Sequence, residues 1–183
     1  RLIRLDAQVA TMRRVWAGHP PVAGVDPVGP MPVQTPIPIL SGALGPKATA
    51  RAAAWADGIA GFEMDPTVEA LTASATRVRD AWAQAGRDEP YLMTSFWFAL
   101  GDDAEAALRA YARSYLAVFG DELADALAAA CTVAGERRLL EAIEAAAACG
   151  YDEVQLVPTT ADPAVLDRVD ALLAGSALAR RQA

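Results

Sequence analysis

The sequence predicts an α/β fold in which parallel strands alternate with helices. Short apolar runs typical of buried parallel strands recur along the chain, and stretches with a helical period separate them. Since parallel neighbours need a crossover connection, this alternation indicates βαβ units. The predicted strands lie near residues 37–41, 58–62, 91–99 and 153–157. Four such units fit half of a (β/α)8 barrel, and they fit a small open sheet with helices on both faces equally well.

Length and composition suit one globular unit. The chain has 183 residues, of which 54% are hydrophobic, so disorder is excluded as the main interpretation. We expect residues 1–183 to form a single domain. The net charge of −7 and the lack of a basic patch argue against a nucleic-acid partner, and no membrane-spanning run is visible. Cys131 and Cys149 lie in alanine-rich helical patterns, which favours buried thiols in the reducing cytoplasm over a disulfide or metal site.

The chain opens with an amphipathic helix and then a proline-rich segment. Over residues 1–17, apolar side chains recur at three- and four-residue steps, namely Leu2, Leu5, Val9, Met12 and Trp16. So broad an apolar face is expected to pack on a larger body. Residues 19–36 carry too much proline for a helix or a central strand, so they predict a loop. The only histidine, His19, begins this loop and is expected to be exposed.

The most specific stretch runs from residue 37 to residue 58. An apolar strand is followed by a turn in which Gly42 and Gly45 supply backbone conformations that other residues resist. Pro46 falls at the first position of the next helix, which is predicted to run to about Ala56. A glycine turn that opens a helix leaves free N–H groups and is a place for a phosphate. Lys47, the only lysine, lies in the first helical turn, where its charge can reach such a group.

The remaining segments continue the alternation of helices and strands. Asp65-Pro66 and Asp162-Pro163 are both predicted to start helices, with the aspartate as the cap and the proline at the first position. Further helices are predicted from about residue 103, over 121–130 and from 136 to 149. The last helix is expected to bury Val165, Leu166, Val169, Leu172 and Leu173, and residues 176–183 are expected to be a frayed tail.

Two tyrosines call for a choice between packing and binding. Tyr111 and Tyr115 lie one helical turn apart, on the side of their helix that also carries Leu108 and Phe119. Core packing is the expected role, ahead of stacking on a ligand ring.

The segment Pro-Ile-Pro-Ile-Leu-Ser-Gly-Ala-Leu-Gly-Pro-Lys-Ala, followed by Arg51-Ala52-Ala53 and Ala56-Asp57-Gly58, resembles the bacterial luciferase-like monooxygenase family. Members of that family are (β/α)8 barrels that use FMN or a deazaflavin coenzyme of the F-420 type. The resemblance extends over about residues 1–174 and implies the C-terminal half of such a barrel, because a complete one takes roughly 250 residues. A half barrel leaves sheet edges bare, so we expect pairing with the missing half or with another copy in a homo-oligomer.

The resemblance also implies where the coenzyme binds and what the protein does. It implies an oxidoreductase that acts on a small-molecule substrate, with its catalytic residues in the missing N-terminal half. The coenzyme phosphate would lie against the turn, with the end of the next strand closing its other side. The implied binding residues are Ser41, Gly42, Ala43, Leu44, Gly45, Pro46, Lys47, Ala60 and Gly61.

Two alternatives remain open from the residues themselves. The first is another phosphate-binding α/β barrel enzyme. Such an enzyme requires a lysine or paired carboxylates at strand ends, and Lys47 is the only candidate of this kind in the sequence. The second is a helical interaction module, which leaves the apolar runs at 37–40 and 153–157 unexplained. Because His19 has no aspartate, cysteine or glutamate at useful spacing, no catalytic triad or metal site is predicted.

Overall fold

The computed structural model describes residues 2–176 as an α/β unit. In chain order the elements are α1 (Leu2–Trp16), β1 (Leu40–Ser41), α2 (Pro46–Ala52), β2 (Gly58–Ala60), α3 (Val68–Gln84), β3 (Tyr91–Phe98), α4 (Ala104–Leu116), a 3-10 turn (Ala117–Phe119), α5 (Asp121–Ala129), α6 (Glu136–Ala148), β4 (Glu153–Pro158) and α7 (Ala164–Ala174). The predicted alternation of helices and strands is confirmed. Residues 177–183, which include nearly all of the predicted tail, lie outside the described part.

The four strands form one parallel sheet in the order β1-β2-β3-β4. Each strand therefore pairs with its successor in the chain, as βαβ units require. β1 is shorter than the predicted 37–41 because the Asp57 side chain binds the backbone of Ile39, the residue before β1. The Ile39 N–H donates to the Asp57 carboxylate at 2.8 Å, and the Ile39 carbonyl accepts from the Asp57 N–H at 2.8 Å.

Alternate residues of β3 serve two different layers. Phe96 and Phe98 are fully buried against α6 and α7, and Leu92 packs against α2 and α3. Trp97 points to the opposite side, where it packs with residues of α4 and α5. The period of two in the strand thus separates the face that packs on α2, α3, α6 and α7 from the face that packs on α4 and α5.

The connection from β3 to β4 contains three helices with different roles. Leu139 and Ala142 of α6 pack on Phe96 and Phe98, so α6 is the crossover helix that covers the sheet. The other two helices, with the 3-10 turn between them, form the α4–α5 hairpin, which spans residues 104–129. This hairpin packs on Trp97 and on the chain just beyond the end of β3. It is therefore an insertion at the C-terminal end of the sheet.

Helix α1 is anchored to α2 through polar contacts. The Asp6 carboxylate accepts from the Trp55 indole N–H at 3.1 Å and from both Nε and a terminal nitrogen of Arg51. Val9 is buried, whereas Leu5 and Met12 are each 42% exposed. Much of the apolar face of α1 is therefore uncovered, as the sequence predicted for a helix that packs on a larger body.

The proline-rich segment is a loop, as predicted. Residues 17–39 contain no helix or strand, and His19 is exposed at the start of the segment.

Several local predictions are wrong. Thr67, not Asp65, caps α3 by accepting from the Ala70 N–H at 3.2 Å, because Asp65 instead binds Arg138 at 2.8 Å. Helix α2 ends at Ala52 and not near residue 56. The backbone N–H groups of Ala54 and Trp55 donate to carbonyls three residues earlier, where an α-helix would use carbonyls four residues earlier. Leu166 is 59% exposed because it falls beside the inward stripe of α7. The Asp162 carboxylate accepts from the Ala164 N–H at 3.0 Å, as predicted, but Pro163 is the N-cap of α7 and not its first residue.

Candidate functional site

The candidate site lies where the carboxyl ends of the parallel strands meet. Parallel pairing places the turn after β1 and the segment after β2 at one edge of the sheet. The same edge carries the segment after β3, where Ala99 forms a bridge with Ala134. In α/β proteins this is the edge at which ligands bind.

The turn at residues 42–45 offers unused hydrogen-bond donors. The carbonyl of Gly45 accepts from the N–H and the hydroxyl of Thr49, at 2.9 and 3.0 Å, which fixes the start of α2. Within residues 2–176, the backbone N–H groups of residues 42–45 have no hydrogen-bond acceptor. Pro46 occupies the first turn of α2, as predicted. The turn is thus a short run of amide donors next to a well-fixed helix start.

Neither glycine of this turn is required by the backbone. Gly45 has φ −113° and ψ 158°, an extended conformation that any residue adopts, and Gly42 also lacks a positive φ. The predicted need for special backbone freedom is therefore wrong at both positions. A Cβ atom at either residue would meet no atom within 4 Å. The missing side chains leave open space beside the amide donors, which suits a group that approaches the backbone closely.

The space beside the turn is an open cavity of about 390 Å³ between the turn, α1 and α2. Its walls are mainly apolar, with the Asp6–Arg51 ion pair at one side. The lining residues are Leu5, Asp6, Ser41, Gly42, Ala43, Leu44, Ala48, Arg51, Ala52 and Trp55.

The other predicted binding residues differ in whether they are free to contact a ligand. Lys47 is exposed in the first turn of α2 and forms no ion pair with any described residue, so its charge is available. Ala60 ends β2. The Gly61 N–H donates to the Met93 carbonyl at 2.7 Å, and its carbonyl accepts from the N–H and hydroxyl of Ser95. Because the Gly61 amide is already engaged, Gly61 can shape a binding site but cannot donate to a ligand.

Sequence reasoning missed an aromatic cluster at the same end of the sheet. The Trp97 ring centroid lies 4.7 Å from that of Phe62, 5.7 Å from that of Tyr111 and 5.0 Å from that of Tyr115, in edge-to-face arrangements. The Tyr111–Tyr115 spacing was visible in the sequence, but the contacts to Phe62 and Trp97 depend on the tertiary fold. Tyr115 is 65% exposed, so the core-packing prediction is wrong for it, while Tyr111 is half-buried.

Two titratable groups near this edge have a shifted pKa. Burial raises the pKa of the half-buried Glu63 carboxyl, against a hydrogen bond to Ser74 and the charge of Arg77, which lower it. Burial also raises the pKa of the Cys131 thiol, so this cysteine is a poor nucleophile. Among residues 2–176, histidines, cysteines and carboxylates form no group of three that is able to hold a metal ion.

These features fit a partial (β/α)8 barrel whose carboxyl edge carries a glycine-containing turn. The chain belongs to the luciferase-like monooxygenase family, whose sequence profile matches residues 1–130. The family resemblance and the barrel-half prediction are confirmed. A comparison with curated protein sequences gave no match.

Solved structures with the same fold agree with this assignment. An F420-dependent secondary alcohol dehydrogenase in complex with an F420-acetone adduct aligns with a TM-score of 0.66 and 18% identity, covering 87% of this chain and 58% of that one. A coenzyme F420 dependent tetrahydromethanopterin reductase from Methanopyrus kandleri aligns with a TM-score of 0.60 and 17% identity, covering 94% and 61%. The monooxygenase RslO1 from Streptomyces bottropensis gives 0.61 and 20%, covering 98% and 61%.

The chain thus spans about three fifths of the length of these structures. In the described part, none of the helices combines the length and the apolarity that crossing a bilayer requires.

Proposed function

We propose that this chain is the C-terminal half of an oxidoreductase that uses FMN or a deazaflavin coenzyme of the F420 type on a small-molecule substrate. The observation that carries the proposal is the family match over residues 1–130, which includes the turn after β1. Two of the similar structures are F420-dependent enzymes, which supports the class of coenzyme without choosing between its members.

The coenzyme phosphate is proposed to lie against residues 41–47. Four amide donors without acceptors among the described residues and the open space at Gly42 and Gly45 fit a phosphate, whose oxygens accept several hydrogen bonds. The Ser41 hydroxyl and the Lys47 charge add to this set. Since α2 has only seven residues, the proposal rests on the turn and not on the dipole of the helix. Ala60 and Gly61 would lie beside the phosphate and limit the space around it.

The bound coenzyme would supply the redox chemistry, and the residues of this chain would bind and orient it. The groups that contact the reacting atoms are proposed to lie in the half of the barrel that this chain does not contain. Both edge strands of the described sheet, β1 and β4, lack a partner strand on one side. These edges are open to pairing with the missing half of the barrel or with another copy, and we further propose a homo-oligomer.

The test is a titration of the full-length protein, which contains both halves of the barrel, with FMN and, separately, with F420, followed by visible absorption and by coenzyme fluorescence. The proposal expects a spectral shift and saturable binding for one of the two, with free phosphate competing at high concentration. Riboflavin, which lacks the phosphate, serves as the matched control and should bind much more weakly than FMN if FMN is the ligand. Absence of binding for both coenzymes would overturn the proposal.

A further inference from the structure

The aromatic cluster joins Phe62 and Trp97 of the sheet region to Tyr111 and Tyr115, which lie on a part of the fold that no crossover requires. The α4–α5 hairpin is an insertion, because α6 alone provides the crossover that connects β3 to β4 along the outer face of the sheet. The hairpin packs on the face that carries Trp97 and Val157, opposite the face covered by α6 and α7. It therefore lies over the carboxyl end of the strands, on the side away from the outer helices.

The cluster is only partly closed. Trp97 is 7% exposed and forms its centre, whereas Tyr115 is 65% exposed although its ring contacts Trp97. The Tyr111 and Tyr115 rings are nearly parallel, with an interplanar angle of 19° and centroids 6.4 Å apart. One edge of a packed aromatic array is thus open at Tyr115.

The chemistry of the open edge is apolar and aromatic. The four ring-bearing residues include no charged side chain, and neither tyrosine hydroxyl has a hydrogen-bond partner within residues 2–176. Aromatic rings prefer edge-to-face or offset contacts with other rings, because their negative faces attract positive edges. A further planar ring would extend the array that the protein has already built around Trp97.

We propose that this open edge, at the exposed ring of Tyr115, is a subsite that holds a planar aromatic ring of the substrate. The inference rests on the proposed function, since it places the substrate at the same end of the sheet as the proposed coenzyme turn. It narrows the substrate class to small molecules with at least one aromatic ring. Tyr115 acts here as a specificity-determining residue, through contact with the substrate ring.

The test compares two ligands of the same shape in calorimetric titrations of the full chain. 2-Naphthol carries the aromatic ring system, and decahydro-2-naphthol is its saturated counterpart. The subsite predicts that 2-naphthol binds about fivefold more tightly, the size expected of one aromatic contact. Tyr115→Ala should abolish this preference and Tyr115→Phe should keep it. Leu166→Ala, which truncates an exposed apolar side chain of α7 instead, should also keep it.

The outcomes separate this inference from the proposed function. Equal affinity for both ligands, or a preference that survives Tyr115→Ala, overturns the subsite even if the coenzyme binds. A loss of FMN or F420 affinity in Tyr115→Ala would also overturn it, because the ring bound there would then be that of the coenzyme. A Tyr115-dependent preference without any coenzyme binding would support the subsite and overturn the proposed function alone.

Discussion

The Asp57 carboxylate lies 2.9 Å from a guanidinium nitrogen of Arg13, and this contact joins α1 to the residue before β2. The same carboxylate accepts from the Ile39 N–H at 2.8 Å and lies 3.5 Å from the Arg87 guanidinium. One aspartate at the amino end of the sheet thus connects the first helix, the start of the first strand and the turn before β3. Because the contacts lie away from the carboxyl edge, we assign them to stability and not to binding.

Replacement of Asp57 by alanine should destabilise the fold by about 1–3 kcal/mol, since the Ile39 amide loses its acceptor and two arginines lose an ion-pair partner. Urea unfolding followed by circular dichroism measures the effect. Asp80→Ala provides the control, because Asp80 is exposed on α3 and has no hydrogen bond or ion pair with any described residue. Equal unfolding midpoints for the two variants would contradict the assignment.

Gly58 is required by the close approach of two strands. A Cβ atom at this residue would lie 2.0 Å from the Tyr91 carbonyl oxygen, which is part of the backbone and has little room to move. Gly58→Ala should therefore cost about 3 kcal/mol or more. Gly45→Ala, where a Cβ meets open space, should change stability by less than about 0.5 kcal/mol. The same urea unfolding experiment tests both, and a Gly58→Ala protein as stable as Gly45→Ala would refute the steric account.

The parallel sheet was predictable because its signals are local. Apolar runs, glycines and helix caps near each strand mark the βα alternation within a few residues of sequence. The Asp65 cap failed for the opposite reason, since the residues that claim its carboxylate, Thr132 and Arg138, lie more than sixty positions away. Competition of this kind is decided by tertiary contacts.

The candidate site was predictable only in part. The turn at residues 42–45 was found from its glycines, yet their conformations are ordinary and the relevant property is the empty space beside them. The engaged amide of Gly61 depends on the carbonyl of Met93 in the neighbouring strand. The cluster around Trp97 joins three separate segments, so no spacing in the sequence reveals it.

Variants of the turn should rank in a defined order for coenzyme affinity. Gly45→Val keeps an accessible backbone conformation but fills the open space, so it should weaken binding by more than about tenfold. Lys47→Ala removes one exposed charge and should cost only about 1 kcal/mol, or about fivefold. Absorption titrations measure both, with Ala50→Val on the exposed side of α2 as the control. If Gly45→Val binds as tightly as the parent, the phosphate lies elsewhere.

Glu63 should make the folded state less stable as the pH rises. Because burial raises the pKa of this carboxyl in the folded state, the folded protein holds the proton more tightly than the unfolded chain does. The stability from this group is therefore present below the unfolded pKa and is lost as the pH rises through the folded pKa. Relative to Glu63→Gln, the wild type should lose stability between about pH 4 and about pH 7.

Urea midpoints of both proteins at the two pH values measure this difference. Glu144→Gln, at an exposed position on α6, is the control and should follow the wild type. A constant gap between wild type and Glu63→Gln across the pH range would show that burial does not dominate at Glu63.

The insertion of the α4–α5 hairpin also bears on how such a protein can change over evolutionary time. Since α6 by itself returns the chain to β4, the hairpin can vary in length and composition while the strand order and the outer helices stay intact. Substitutions at residues within 104–129 that do not pack on the sheet are then tolerated without changes in the strands. Descendants of one ancestral barrel could in this way diverge in what they recognise while inheriting the same frame.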